Sequence, residues 1–91
     1  MSRQETILEQ IAQIQQMEPG TLCPMRGGLY YNHQTWQNGR NVVRYVPADH
    51  VASLRKAIAG YQRFLKLTQA YAEQIIQRTR KRQAKAFSNK R

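Results

Sequence analysis

The feature that most constrains the fold is a long, unbroken helical pattern in the second half of the chain. Over residues 51–79, mostly apolar or small residues recur in steps of three and four, which is the spacing of one face of an α-helix. Pro47 stands where a helix can begin, and Asp49 in the first turn suits the positive end of the helix dipole. The pattern therefore predicts one helix from about residue 48 to about residue 81.

Such a helix is long for a chain of only 91 residues. It would measure about 50 Å, whereas a globule of this size has a radius of gyration of about 12 Å. Part of the helix is therefore expected to project, to bind a ligand or to pair with another chain. A homodimer through the long helix is one alternative. The other is a long core helix that the N-terminal helix covers.

The first segment, residues 2–17, predicts an amphipathic helix. Ser2 as the N-cap and Glu5 three residues later form the capping-box pattern. Pro19 and Gly20 are expected to end the helix. Its apolar stripe consists of Ile7, Leu8, Ile11, Ile14 and Met17.

A β-hairpin is predicted in the middle of the chain, because two β-prone runs flank the dipeptide Asn38-Gly39. A two-residue turn there pairs Trp36 with Asn41 and Tyr31 with Val46. Residues 21–28, which contain Pro24 and two glycines, are expected to be a connector. The face of the hairpin expected to lie on the core carries Leu29, Tyr31, His33, Val42, Arg44 and Val46.

These segments together predict an α+β fold with an N-terminal helix, a β-hairpin and one long C-terminal helix with a basic tail. Residues 1–80 are expected to form a single small domain, and residues 81–91 the basic tail. Because a two-stranded ribbon is not stable alone, the hairpin and the N-terminal helix are expected to pack on the N-terminal half of the long helix.

Positive charge is concentrated at the C-terminus of a chain whose net charge is +10. Such a run of cations requires a polyanion nearby, most commonly nucleic acid. Its contacts would be with phosphates, which set affinity and salt dependence but read no sequence. The alternative is a disordered tail that keeps the protein dissolved. The cations of the last fourteen residues are Arg78, Arg80, Lys81, Arg82, Lys85, Lys90 and Arg91.

The hairpin offers a second candidate surface for nucleic acid. Arg26, Arg40 and Arg44 lie in a stretch, residues 19–48, that has no acidic residue. Tyrosines and Trp36 interleave with them, and aromatic rings beside arginine can stack on unpaired bases. The alternative is that the rings only pack on the helices. Trp36, next to the turn, is the ring that packing explains least easily.

Catalytic and metal-binding groups are sparse. A His50–Ser53 pair lacks an oxyanion site and an orienting acid, since the adjacent Asp49 is expected to point elsewhere. The spacing of Cys23, His33 and His50 matches no paired-ligand zinc motif, so Cys23 is expected in a turn and both histidines on the surface. The sequence therefore predicts a non-enzyme without metal or cofactor. It also has no signal peptide and no membrane-spanning run, which predicts a cytoplasmic protein.

Several short motifs lie between residues 20 and 78. They are Met-Arg-Gly-Gly-Leu-Tyr at residues 25–30, Arg-Tyr-Val-Pro at 44–47, Val51, and Tyr-x-x-Phe at 61–64 followed by Leu67. In these motifs the chain resembles a small prokaryotic domain family of unknown function, often found with transposases and other mobile elements. The resemblance implies a helper of a mobile element that acts on DNA or structured RNA beside a larger transposase or nuclease. Many members carry a Cys-rich loop that this chain lacks, so the resemblance implies no metal here.

The predicted function is that of a non-catalytic nucleic-acid-binding accessory protein of a mobile element, which binds RNA or DNA through the basic helix, the tail and the hairpin. The alternative is a protein–protein adaptor whose long helix docks on a larger enzyme. The residues predicted to bind nucleic acid are Arg26, Trp36, Arg40, Arg44, Arg78, Arg80, Lys81, Arg82, Lys85, Lys90 and Arg91.

Overall fold

The computed structural model describes residues 2–88 and has the predicted α+β architecture. No helix within this range is long and apolar enough to cross a membrane. The chain forms two compact units, of which one is Ile14–Arg63 and the other combines the N-terminal helix with the long helix from Phe64 onward. The single domain over residues 1–80 stays a prediction. In chain order the elements are α1 (Arg3–Ala12), β1 (Thr21–Met25), β2 (Tyr30–Gln37), β3 (Arg40–Val46) and α2 (Val51–Ser88).

Helix α1 begins as predicted, with Ser2 as its N-cap. The Ser2 hydroxyl accepts a hydrogen bond from the backbone N–H of Glu5. The helix ends at Ala12, so the prediction that it continues to Met17 was wrong. Beyond it the chain is extended, and the Glu18 N–H donates to the carbonyl of Ala57 in α2 at 3.0 Å.

Gly60 explains why the segment after α1 can lie so close to the backbone of α2. A Cβ atom at Gly60 would overlap the backbone carbonyl of Gln16. Only a residue without a side chain lets the two backbones approach in this way. Packing against α2 therefore overrides the helical pattern of residues 13–17.

Helix α1 belongs with the C-terminal half of α2, not with its N-terminal half as predicted. The Gln4 side chain donates from Nε2 to the Tyr71 hydroxyl at 3.3 Å. Arg78 in turn donates to the Gln4 Oε1 at 2.6 Å. Ile7 is the buried residue of α1, with 5% of its surface exposed. In sequence, residues 13–20 separate α1 from the first strand of the sheet.

The sheet has three antiparallel strands in the order β1-β2-β3. The register of β2 on β3 is as predicted, with Trp36 opposite Asn41 and Tyr31 opposite Val46. Asn38 and Gly39 both have positive φ, as a two-residue hairpin turn requires.

Strand β1 replaces the predicted connector, so that prediction was wrong. Its Pro24 lacks an N–H and is tolerated because β1 is an edge strand. The reversal from β1 to β2 is made by Arg26, Gly27 and Gly28, which all have positive φ. Two of these are glycines, for which such a backbone is unstrained. Cys23 consequently lies in a strand and not in a turn.

We call the covered side of the sheet the inner face. His33 and Val46 are buried there, as the prediction of the core side requires, and so is Thr35. Leu29 and Arg44 are exceptions, because Leu29 precedes β2 and remains 78% exposed, and Arg44 is exposed on β3. His33, expected on the surface, is only 4% exposed, and its Nε2 lies 2.8 Å from the carbonyl oxygen of Pro19. A hydrogen bond therefore makes burial of this polar ring tolerable.

Helix α2 follows a short 3₁₀ turn at Ala48–His50, which Pro47 precedes. The helix continues to Ser88, beyond the predicted end near residue 81. Residues 81–88 of the predicted basic tail are thus helical.

Candidate nucleic-acid interface

The side of the sheet opposite the inner face, which we call the open face, is uncovered and rich in large side chains. On β2 and β3 it carries Tyr30, Asn32, Gln34, Trp36, Asn41, Val43 and Tyr45. Trp36 is 74% exposed, Tyr45 65% and Val43 49%. None of the side chains on this face is charged. The open face is therefore an aromatic and amide surface without carboxylates.

The rings of the open face lie at two places along the strands. Tyr30 and Tyr45 are neighbours at one end, with ring centroids 6.0 Å apart and planes tilted by 43°. Trp36 lies toward the other end, next to the Asn38-Gly39 turn. Six residues separate Tyr30 from Trp36 along β2, which corresponds to about 20 Å. This distance leaves room for more than one stacked base.

Three of the predicted arginines lie on or next to the sheet, and strand alternation puts the two on β3 in the same row as Val42 and Val46, on the inner side. Arg26 is in the loop between β1 and β2, Arg40 begins β3, and Arg44 lies further along β3. All three are exposed, and within residues 2–88 none of them forms an ion pair or hydrogen bond through its side chain. The structure therefore brings Arg26, Trp36, Arg40 and Arg44 together on one small sheet.

A groove of about 340 Å³ lies beside the sheet, where β3 leads into the start of α2. Arg44 projects into it together with Glu18 and the buried His33. The remaining lining residues are Tyr45, Val46, Pro47, His50, Ser53 and Leu54. Tyr45 also lines the groove and lies on the edge strand β3, so the groove and the open face lie on either side of this edge of the sheet.

The histidine at the rim of this groove has a partner that the sequence analysis did not expect. His50 Nδ1 lies 3.2 Å from Asp49 Oδ1, so the expectation that these neighbours point apart was wrong. Both side chains are well exposed, which makes the pair a weak one. Between His50 and Ser53, both within the described range, there is no hydrogen bond.

The remaining predicted cations lie on α2, in the other compact unit. Arg78, Lys81, Arg82 and Lys85 follow each other in steps of three and four and so form one stripe of the helix, whereas Arg80 points away from it. All are exposed, and Arg78 also donates to Gln4. Lys90 and Arg91 lie outside the described residues. We call Arg78, Lys81, Arg82 and Lys85 the basic stripe.

Sequence reasoning missed the groove and two of its lining residues. The sequence analysis gave no role to Glu18 and expected His33 on the surface. No local pattern connects them, because the extended segment after α1 brings Glu18 to the sheet, and that segment was assigned to a helix. The buried position of His33 follows from strand alternation, which did place it on the inner face.

No protein-family model, curated protein or solved structure gives a significant match to this chain. Its function therefore has to be inferred from its own residues.

Proposed function

We propose that this chain is a non-catalytic accessory protein that holds single-stranded nucleic acid on the open face of its sheet. One observation carries the proposal: Trp36 and Tyr45 expose most of their surface on a face without any charge. Exposed aromatic rings of this kind stack on bases, and each stacked base contributes about 1–3 kcal/mol. Unpaired bases fit the face better than a duplex, whose bases are already stacked.

Arginine side chains supply positive charge near this uncharged surface. Arg26 and Arg40 lie at opposite ends of the sheet that carries the open face, and their side chains have no partner within residues 2–88. A strand whose bases stack on the rings presents its phosphates at the edges of the sheet. Guanidinium groups there bind phosphates by charge and by paired hydrogen bonds. Such contacts add affinity without sequence preference.

The basic stripe supports the same ligand class by itself. Its four cations lie on one side of α2 and, across residues 73–88, only one acid, Glu73, is present. Each phosphate contact with a single strand contributes about −0.7 to the log–log salt slope. Six such contacts would give a slope of about −4. RNA and DNA both satisfy this chemistry, and the family resemblance adds a mobile-element transposase or nuclease as the neighbouring enzyme.

Fluorescence anisotropy with labelled oligo-U, oligo-dT and a mixed-sequence duplex at several salt concentrations tests the proposal. Tight binding of the single strands with a steep salt slope is expected, with weaker binding of the duplex. Replacement of Trp36 by Ala should weaken single-strand binding by about 1–3 kcal/mol. Phe87→Ala is the matched control, because Phe87 is also an exposed aromatic residue, at 68%, but lies on α2. Absence of binding to any of the three ligands in low salt, with the protein folded, would refute the proposal.

A second candidate function rests on a different side of α2. Leu65, Ile76 and Phe87 are all exposed and are spaced eleven residues apart, which is close to three helical turns. They therefore form an apolar line on the side of the helix opposite the basic stripe. An apolar line of this kind suits docking on another helix, either of a larger enzyme or of a second copy of this chain. Self-association or capture of an enzyme that Ile76→Glu abolishes, together with no binding of nucleic acid, would favour this adaptor.

A further inference from the structure

The groove beside the sheet contains two opposite charges that do not pair with each other. Glu18 and Arg44 both line it, and across residues 2–88 neither side chain has an ion pair or hydrogen bond. Glu18 is half-buried as a residue, and its carboxylate oxygens remain accessible to a ligand in the groove. A ligand that offers donors to Glu18 and acceptors to Arg44 would satisfy both groups at once.

The remaining walls narrow the chemistry of that ligand. Tyr45, Pro47 and Leu54 provide apolar surface, which suits a flat, partly apolar molecule. His33 is held by its contact with the Pro19 carbonyl, which can only accept, so Nε2 is the donor of this hydrogen bond. Apolar walls with a few fixed polar groups are the usual construction of a small-molecule site. The groove volume of about 340 Å³ is at the lower end of the range for such sites.

We propose that this groove binds a guanine base of the strand held on the open face. Guanine has two adjacent donors, N1–H and the N2 amine, which match the two oxygens of the Glu18 carboxylate. Its O6 and N7 are acceptors that match the guanidinium of Arg44. Tyr45 lies on the edge strand β3 and also lines the groove, so a strand stacked on the open face can pass around this edge and place one base in the groove. This inference rests on the proposed function and adds base selectivity to it.

The other ligands of a nucleic-acid strand fit this groove less well. A phosphate would meet the Glu18 carboxylate and be repelled by it. Adenine and cytosine each offer one amino group to the carboxylate in place of two adjacent donors, and uracil offers a single N–H. Selectivity for guanine is therefore what the unpaired charges predict.

The test compares binding of an eight-nucleotide oligo-U with the same strand containing one guanine or one inosine. The guanine strand should bind about tenfold more tightly than oligo-U, within the range that paired hydrogen bonds to a base provide. Inosine lacks the N2 amine and should retain only part of this gain. In the Glu18→Gln variant the guanine-to-uracil affinity ratio should fall to near one. Glu9→Gln, which changes a carboxylate on α1, is the charge-matched control and should keep the wild-type ratio.

The outcomes separate this inference from the proposed function. Equal affinity for all three strands would overturn the guanine site while leaving single-strand binding intact. Failure of every strand to bind would overturn the proposed function itself. A guanine preference that inosine reproduces in full, or that Glu18→Gln leaves unchanged, would also contradict the assignment of Glu18 to the base edge.

Discussion

The two faces of the sheet distribute polar and aromatic groups in the reverse of the usual order. A half-buried antiparallel sheet commonly turns apolar side chains inward and polar ones outward. Here the inner face buries His33 and Thr35, each 4% exposed, whereas Trp36 on the open face is 74% exposed. The difference is informative because both faces belong to the same strands and share their backbone.

The residues of the inner face can be explained by their contribution to the stability of the fold. The His33 ring is hydrogen-bonded to the Pro19 carbonyl at 2.8 Å, and the Thr35 hydroxyl accepts from Gln37 at 2.9 Å. Both buried polar groups therefore have partners, and Val46 supplies apolar contact beside them. On the open face Tyr30 and Tyr45 contact each other, whereas the Trp36 ring has no ring contact among the described residues. This exposed ring is why we propose that the open face binds a ligand.

The largest expected effect is on stability, from a pair of valines on opposite faces of β3. Val46 is 6% exposed on the inner face and Val43 is 49% exposed on the open face. Val46→Ala removes two buried methyl groups and should lower the free energy of unfolding by about 2 kcal/mol. For a chain of this size that corresponds to roughly 10 °C in Tm. Val43→Ala should change it by about 0.5 kcal/mol at most.

Thermal and denaturant unfolding of the two variants measures this difference. Equal destabilisation by both substitutions would contradict the contrast between a buried inner face and an exposed open face, because the open face would then be covered in solution. A second copy of the chain on that face would produce such a result. A concentration-dependent Tm would identify it.

A smaller effect is expected on binding, from a pair of tyrosines. Tyr45 is 65% exposed on the open face, whereas Tyr31 lies on the inner face with the Arg55 guanidinium 5.8 Å from its ring centroid. Tyr45→Ala should weaken binding of oligo-U by about 1–2 kcal/mol, because one stacking ring is lost. Tyr31→Ala should lower stability and leave the affinity close to wild type.

Anisotropy titrations well below the Tm of each variant provide the measurement. An equal loss of affinity in both variants would mean that binding depends on the integrity of the sheet and not on the rings of one face. Tyr45→Phe keeps the ring and should retain most of the affinity.

The sequence predicted those parts of the fold that local patterns determine. Asn38-Gly39 between β-prone runs fixed the turn, and the turn fixed the register of β2 on β3. The steps of three and four residues predicted α2, although its end was placed too early. Alternation along β2 and β3 then predicted correctly that His33 and Val46 lie on the core side.

The parts of the fold that the sequence did not predict depend on contacts between segments that are distant in sequence. Residues 13–17 continue the apolar pattern of α1, but Gly60 admits the Gln16 carbonyl and holds the segment extended. Pro24 in β1 and the two glycines that follow β1 are typical of a connector. The sequence alone does not show that β1 is an edge strand, where a proline is tolerated. The groove with Glu18 and Arg44 could not be predicted, because it requires this extended segment to be placed first.

The smallest expected effects come from two arginines at different places, Arg55 on α2 and Arg40 next to the hairpin turn. Arg55 lies over the Tyr31 ring, and a contact of this kind contributes about 0.5–1 kcal/mol at an exposed site. Arg55→Gln should therefore lower stability slightly and leave the salt slope of oligo-U binding unchanged. Arg40→Gln should leave stability unchanged and reduce the slope by about 0.7, since one phosphate contact is lost. Titrations at five or more salt concentrations resolve a change of this size. If Arg55→Gln reduced the slope as much as Arg40→Gln, phosphates would also pass along α2, and the nucleic-acid path would have to extend beyond the open face.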